Sequence, residues 1–181
     1  VFVVTGCERR EGSATIACAL ATRAAQQTGS QVLLIDASGG RRSNRKQQGQ
    51  TSGLNEILAG DIAPLECPVE SLSDNVDLLT MRADTDVDAR MENRLIADML
   101  HEFSSHYDTI VVDLPVASAL KKSLPLARHL PGVLLVVRSE DAKQLQTQQV
   151  VDQLSQDGVS LYGTVLNGHR NFVPRWLRKW F

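Results

Sequence analysis

Apolar residues fall along this chain in two alternating patterns. Five short β-branched runs, most of them apolar at consecutive positions, stand out: Val1 to Thr5, Gln31 to Asp36, Thr109 to Asp113, Gly132 to Arg138, and Leu161 to Asn167. Unbroken runs of this length read as strands covered on both faces rather than one. Between them the apolar positions recur at helical spacing. Ser13 to Gln27 is rich in Ala and Leu; Asn93 to Phe103 brings Leu95, Ile96, Met99, Leu100 and Phe103 to one side; Ala142 to Gln156 carries Leu145, Val151 and Leu154 and stops at Gly158. Strands alternating with helices predict an α/β fold with a doubly wound, mostly parallel central sheet between two helical layers.

One stretch departs from this rhythm. Ser38 to Asp61 is rich in Gly, Ser, Gln and Arg ahead of the short apolar segment Leu54 to Leu58, and predicts a long mobile surface loop with one or two helical turns. Asp84-Thr-Asp-Val-Asp88 shares the spaced carboxylates of a calcium loop but lacks its following Gly and its late Glu, so it reads as a solvated loop.

The first strand leads into Gly6-Cys-Glu-Arg-Arg-Glu-Gly12-Ser-Ala-Thr15 and then directly into the first helical stretch. Strand, loop and helix in that order are the setting of a phosphate-binding loop, G-x-x-x-x-G-K-[ST]. There, backbone amides cradle the phosphates, a Lys reaches the β and γ oxygens, and a hydroxyl holds magnesium. Counting from Gly12, the first Gly position holds Cys7, the Lys position Ser13, and the hydroxyl position Ala14. The cation and the metal ligand are both missing, and Glu11 adds negative charge where a triphosphate would lie.

Composition narrows the setting. A chain of 181 residues, 43% hydrophobic, fits one domain with a full core, expected over residues 1–168, followed by a tail over 169–181. The net charge of −2 provides no general attraction for nucleic acid, and none is expected as a partner. Cys7, Cys18 and Cys67 have no metal-ligand spacing and fit a reducing compartment. No apolar run approaches the roughly 18 residues of a membrane span. The chain opens on Val1, already inside a strand, and reads as a piece of a longer protein.

Taken together, these segments resemble the bacterial tyrosine-kinase family of capsule and exopolysaccharide synthesis, a branch of the MinD/ParA-type P-loop ATPases. Thr5 to Thr15 stands where that family has a loop ending Gly-Glu-Gly-Lys-Ser-Thr. Val32-Leu-Leu-Ile-Asp36 resembles its second acidic strand, Thr109-Ile-Val-Val-Asp113-Leu-Pro115 its Walker B strand, and Gly163-Thr-Val-Leu-Asn167 its closing strand. The resemblance implies a P-loop NTPase-like domain in which Asp36 and Asp113 are vestiges of the catalytic positions. It likewise implies that Glu11, Gly12, Ser13, Ala14, Thr15 and Asn167 are what remains of a nucleotide site. Departures fall on the chemistry: Ser13 for Lys, Ala14 for Ser, Ser38 for a second Asp, and Tyr107 and Tyr162 in place of a C-terminal tyrosine cluster. Phosphoryl transfer rests almost wholly on charge stabilisation, and losing one well-placed donor costs roughly 10² to 10³ in rate. The expectation is a catalytically deficient relative, with ATP or ADP and magnesium held weakly at best; an active ATPase or autokinase with an unconventional loop, and a ParA/MinD-like positioning or pilus-assembly protein, are the alternatives. Asp36 and Asp113 also have a plain structural use, since an Asp at a strand end caps the following turn.

Two basic clusters are candidate contact surfaces. Arg41, Arg42, Arg45 and Lys46 lie in a segment with no acidic residue between Asp36 and Glu56, and suit either an acidic partner or a solvated loop. Arg175, Trp176, Arg178, Lys179 and Trp180 interleave rings and cations, which suits a membrane interface or partner groove as well as packing on the domain itself. The resemblance implies an inner-membrane polysaccharide co-polymerase or another export component as partner, self-association, and a peripheral place at the cytoplasmic face of the inner membrane.

Overall fold

The computed structural model describes residues 1–38, 53–81, 93–139 and 144–168. Seven strands form one sheet: β1 (Phe2–Gly6), β2 (Val32–Asp36), β3 (Glu70–Ser73), β4 (Val76–Thr80), β5 (Thr109–Asp113), β6 (Val133–Arg138) and β7 (Leu161–Asn167). Their order is β3-β4-β2-β5-β1-β6-β7. Every pairing is parallel except β3 against β4. The expected doubly wound, mostly parallel sheet is therefore the fold. Its five anticipated strands agree with the observed ones to within a residue at each end.

Helices α1 (Ser13–Thr28), α2 (Leu54–Ala59), α3 (Asn93–His106), α4 (Leu124–His129) and α5 (Gln144–Gln156) surround the sheet, with short 3-10 turns at Pro64–Glu66 and Ala117–Ser123. Helix α1 is a run of good helix formers closed by Gly29, whose left-handed backbone lets its N–H reach Ala25 O. Its Ala17, Ala21 and Ala25 pack on Val4, Leu34 and Val111 to fill one side of the sheet. The small alanines let α1 lie close to the sheet beside the loop. The opposite side holds the larger core, in which Ile96, Met99 and Phe103 of α3 meet Leu33, Ile35, Ile110 and Val112. Two covered faces explain why β2 is buried at all five positions.

Within α5, Leu145 is 81% exposed, whereas Leu154 is buried. Nine residues are about two and a half turns, so the two side chains point in opposite directions. The segment around Leu54 is not a surface element, because Leu54, Ile57 and Leu58 of α2 are buried in the larger core. Finally, β7 is not covered on both faces. It has one sheet neighbour, β6, and Tyr162, Thr164 and Leu166 stay exposed along it.

The hairpin β3–β4 has no counterpart in the sequence expectations. Strand β4 extends the sheet beside β2, pairing Val76 with Val32 and Thr80 with Asp36. Strand β3 is exposed throughout and bulges between Ser71 and Ser73, features that blunt an open sheet edge. The clusters Arg41 to Lys46 and Arg175 to Trp180, and the segment Asp84 to Asp88, lie outside the described residues.

Candidate functional site

Strand order places the site. The chain leaves β1 toward β2 across β5 on one side and later returns to β6 on the other, so β1 is where the winding reverses. In open α/β sheets the crevice beyond the carboxyl ends of the strands at such a point is the usual ligand position. The loop 6–12 lies there, between β1 and α1.

Both acidic strand ends reach the same place. Asp36 and Asp113 are partners in the β2–β5 register, one at the end of each strand, and are 4% and 2% exposed. Asp113 is also aligned with Val4 of β1. The Asp36 carboxylate accepts hydrogen bonds from the Ser38 N–H at 3.0 Å and the Ser38 hydroxyl at 2.6 Å. Ser38 thus holds the carboxylate locally, as expected of an aspartate shaping the turn after a strand. Thr5 is fully buried and donates its hydroxyl to Pro115 O at 2.7 Å, tying the end of β1 to the segment after β5.

The loop itself is anchored at both ends. Cys7 N donates to Val136 O of β6 at 2.9 Å. At the other end, Gly12 O accepts from Ile16 N at 2.9 Å, opening α1. Gly12 has φ 93 and Arg10 has φ 69, so left-handed residues flank Glu11 on both sides. Backbone of this kind turns successive N–H groups into a concavity that suits an anion.

The Glu11 carboxylate folds back onto the loop. Glu11 is only 8% exposed, and its Oε2 accepts the Glu8 N–H at 2.9 Å. The same oxygen would lie 3.8 Å from a Cβ built on Gly6. From β7, the Asn167 side-chain amide donates to Glu11 O at 2.7 Å, and its own carbonyl accepts Gly168 N–H at 2.8 Å. The Cys7 thiol records the local field. Burial pushes its pKa up, the Glu11 and Glu8 charges push it further, and a hydrogen bond with Thr147 partly opposes them.

Of the anticipated site residues, Asp36, Asp113, Glu11, Gly12 and Asn167 come together around the loop. Ser13 is half-buried at the start of α1, but Ala14 and Thr15 are exposed, and Thr15 lines a shallow hollow on the outer face of α1 with Cys18, Thr22 and Arg23. Arg9 and Arg10 are both exposed. Sequence reasoning missed the ties made by Thr5 and Ser38. The hydroxyl two residues after Asp36 was the available signal for Ser38, since Asp-x-Ser is a turn-forming pattern.

Ser13 and Ala14 stand where the phosphate-loop motif has its Lys and its metal-binding hydroxyl, and the Glu11 carboxylate accepts the Glu8 N–H. Among the described residues no helix is long and apolar enough to cross a membrane.

No family model matches the chain. It is 25% identical over 170 residues to the tyrosine-protein kinase wzc of Salmonella typhi, an alignment covering 92% of this chain and 24% of that protein. The chain thus spans about a quarter of the length of the curated relatives it matches. Among solved structures, it is similar to the kinase domain of the Escherichia coli tyrosine kinase ETK, with a TM-score of 0.79 and 25% identity over 96% of this chain and 69% of that one. It shares its fold with a ParA family ATPase from Chlorobium tepidum at 19% identity and a TM-score of 0.67, over 92% of this chain and 73% of that one.

Proposed function

We propose that this chain, which belongs to the bacterial tyrosine-kinase branch of the MinD/ParA-like P-loop fold, serves as a catalytically silent, regulatory or scaffolding relative within capsule or exopolysaccharide synthesis and export. The observation that carries the reading is the loop at the end of β1. It keeps the strand–loop–helix setting of a phosphate-binding loop but has Ser13 and Ala14 at the cation and metal positions. A triphosphate brought to this loop meets no Lys at the motif's cation position, and the loop's own cations, Arg9 and Arg10, are exposed on its flank. Phosphoryl transfer depends on such fixed charge, so the chemistry has no driving group here.

Function then resides in surfaces. The basic segment 41–46 and the aromatic, basic segment 175–180 are the proposed contacts, and the proposed partner is an inner-membrane polysaccharide co-polymerase or another export component, met peripherally at the cytoplasmic face. Removal of residues 169–181 abolishes recruitment on this reading; unchanged recruitment refutes that part of it.

Asp36 and Asp113 favour a second reading, since both remain paired at the strand ends as an active site would require. That reading is an ATPase or autokinase with an unconventional loop. Calorimetric titration with ATP and ADP, with and without magnesium, decides between them. Magnesium-dependent micromolar binding, with turnover lost in Asp113→Asn, establishes the enzyme; absence of binding supports the silent scaffold.

A further inference from the structure

Outside the loop and the strand-end aspartates, the described part of the molecule offers a groove between Cys7 and α5, a shallow hollow on α1, and the open edge at β7. Neither the groove, rimmed by exposed glutamines, nor the hollow, a stripe of mostly small residues on one helix, points to a particular ligand. The edge strand carries an argument further.

Among the described strands, β7 ends the sheet, and Tyr162, Thr164 and Leu166 face solvent at every second position along it. Tyr162 is 65% exposed and Leu166 58%. The ring of Tyr162 lies against Gly132, just ahead of β6, which fixes its place on the surface. Asn167 O accepts the Ser139 N–H at 2.8 Å, so the backbone polar groups of Asn167 face β6. The register on β6 is regular from Gly163 to Asn167, and by the alternation of a strand the N–H and C=O of Leu166 and Thr164 face the opposite way, into the open edge.

The two ends of the sheet are not alike. Strand β3 is four residues long, begins with Glu70 and bulges between Ser71 and Ser73, all of which discourage pairing. Strand β7 has seven residues with no charge and no Pro, and its register shifts only at its start, beside Val133 and Leu134.

We propose that the open edge of β7 docks β7 of a second copy of this chain, the two strands running antiparallel about a two-fold axis at Thr164. Thr164 is the middle residue of the strand, so this axis sets it against its own copy and sets Tyr162 against Leu166 of the partner subunit. Thr–Thr pairs, and a ring against an aliphatic side chain, are favourable cross-strand neighbours, and no like charges meet. The strand thus complements itself, while a charged partner would find no counter-charge on it. With β3 blunted, the contact closes at two copies and does not propagate as a filament. One strand per copy lies at the low end of specific interfaces, under roughly 1,200 Å², so the dimer is weak. None of this depends on what the loop binds.

Sedimentation velocity of the full chain, from micromolar to near-millimolar concentration, should show a monomer–dimer equilibrium. Thr164→Lys sets like charges across the axis and should weaken the dimer at least about tenfold; Leu72→Lys, on the exposed face of β3, should leave it unchanged. Both positions are exposed, and an unaltered circular dichroism spectrum verifies the fold. Thr164→Cys tests the register. A hydrogen-bonded antiparallel pair brings its Cα atoms to about 5.5 Å, within reach of a disulfide, so oxidation with copper phenanthroline should link two copies through Thr164→Cys but not through Ser160→Cys. If Thr164→Lys does not fold, this comparison decides. The inference is overturned if the wild type stays monomeric throughout, if folded Thr164→Lys dimerises as the wild type does, or if Thr164→Cys links no faster than Ser160→Cys. Dimers that form only once residues 169–181 are removed overturn it as well, since the chain's own tail would then be the occupant of the edge.

Discussion

Gly12→Ala is the perturbation whose size the structure lets one work out most fully. Gly12 has φ 93 and ψ 23, a left-handed backbone that costs a residue with a Cβ about 1–2 kcal/mol. The added Cβ would also land on the side-chain amide of Asn167, the group that donates to Glu11 O. Displacing that amide forfeits a hydrogen bond worth about 0.5–1.5 kcal/mol. The sum is about 1.5–3.5 kcal/mol, and in a chain of this size each kcal/mol lowers Tm by roughly 2–4 °C, giving a fall of about 3–14 °C. Gly29→Ala is the matched control. Gly29 is also left-handed, at φ 66, but nothing lies within 4 Å of its added Cβ, so about 1–2 kcal/mol of backbone strain is the whole effect. Urea denaturation of both variants, with Asn167→Ala and the double variant completing a cycle, separates strain from contact. The Asn167→Ala background should relieve the contact part of the Gly12→Ala penalty. If Gly12→Ala equals Gly29→Ala within error and adds independently to Asn167→Ala, the clasp between β7 and the loop has no energetic content.

Two further outcomes follow from the larger core. Burial pushes the Tyr107 hydroxyl to a pKa of about 12, with the hydrogen bond to Asp77 at 3.0 Å and the Asp77 charge adding to it. The folded pKa lies above the unfolded value of about 10, so this contribution is fully present below pH 10 and is lost as pH rises through 12. Tyr107→Phe should flatten the alkaline limb of the stability curve over that window, and a spectrophotometric titration should lose its late tyrosinate step; an unchanged titration refutes the assignment. Phe103 is 1% exposed within α3 and packed at the centre of that core, so Phe103→Ala should destabilise by about 3–5 kcal/mol in urea, and a loss under 1 kcal/mol would show that the site collapses freely.

The elements that were legible in the sequence are those whose pattern and environment agree. Thr109 to Asp113 and Leu161 to Asn167 coincide with β5 and β7, because β-branched residues flanked by polar ones leave little choice of boundary. The hairpin β3–β4 was illegible for the opposite reason. Glu70–Ser73 has no buried position to impose a period, and Val76–Thr80 is interrupted at its second position by the half-buried Asp77, whose carboxylate accepts the hydroxyl of the distant Tyr107.

The same distinction runs through the candidate site. Sequence alone located the loop, the two strand-end aspartates and Asn167, since each sits at a fixed offset from a legible strand. It did not show that the Glu11 carboxylate turns back onto the Glu8 N–H at 2.9 Å. That orientation depends on left-handed backbone at Arg10 and Gly12 and on a bond from β7, all long-range or conformational facts.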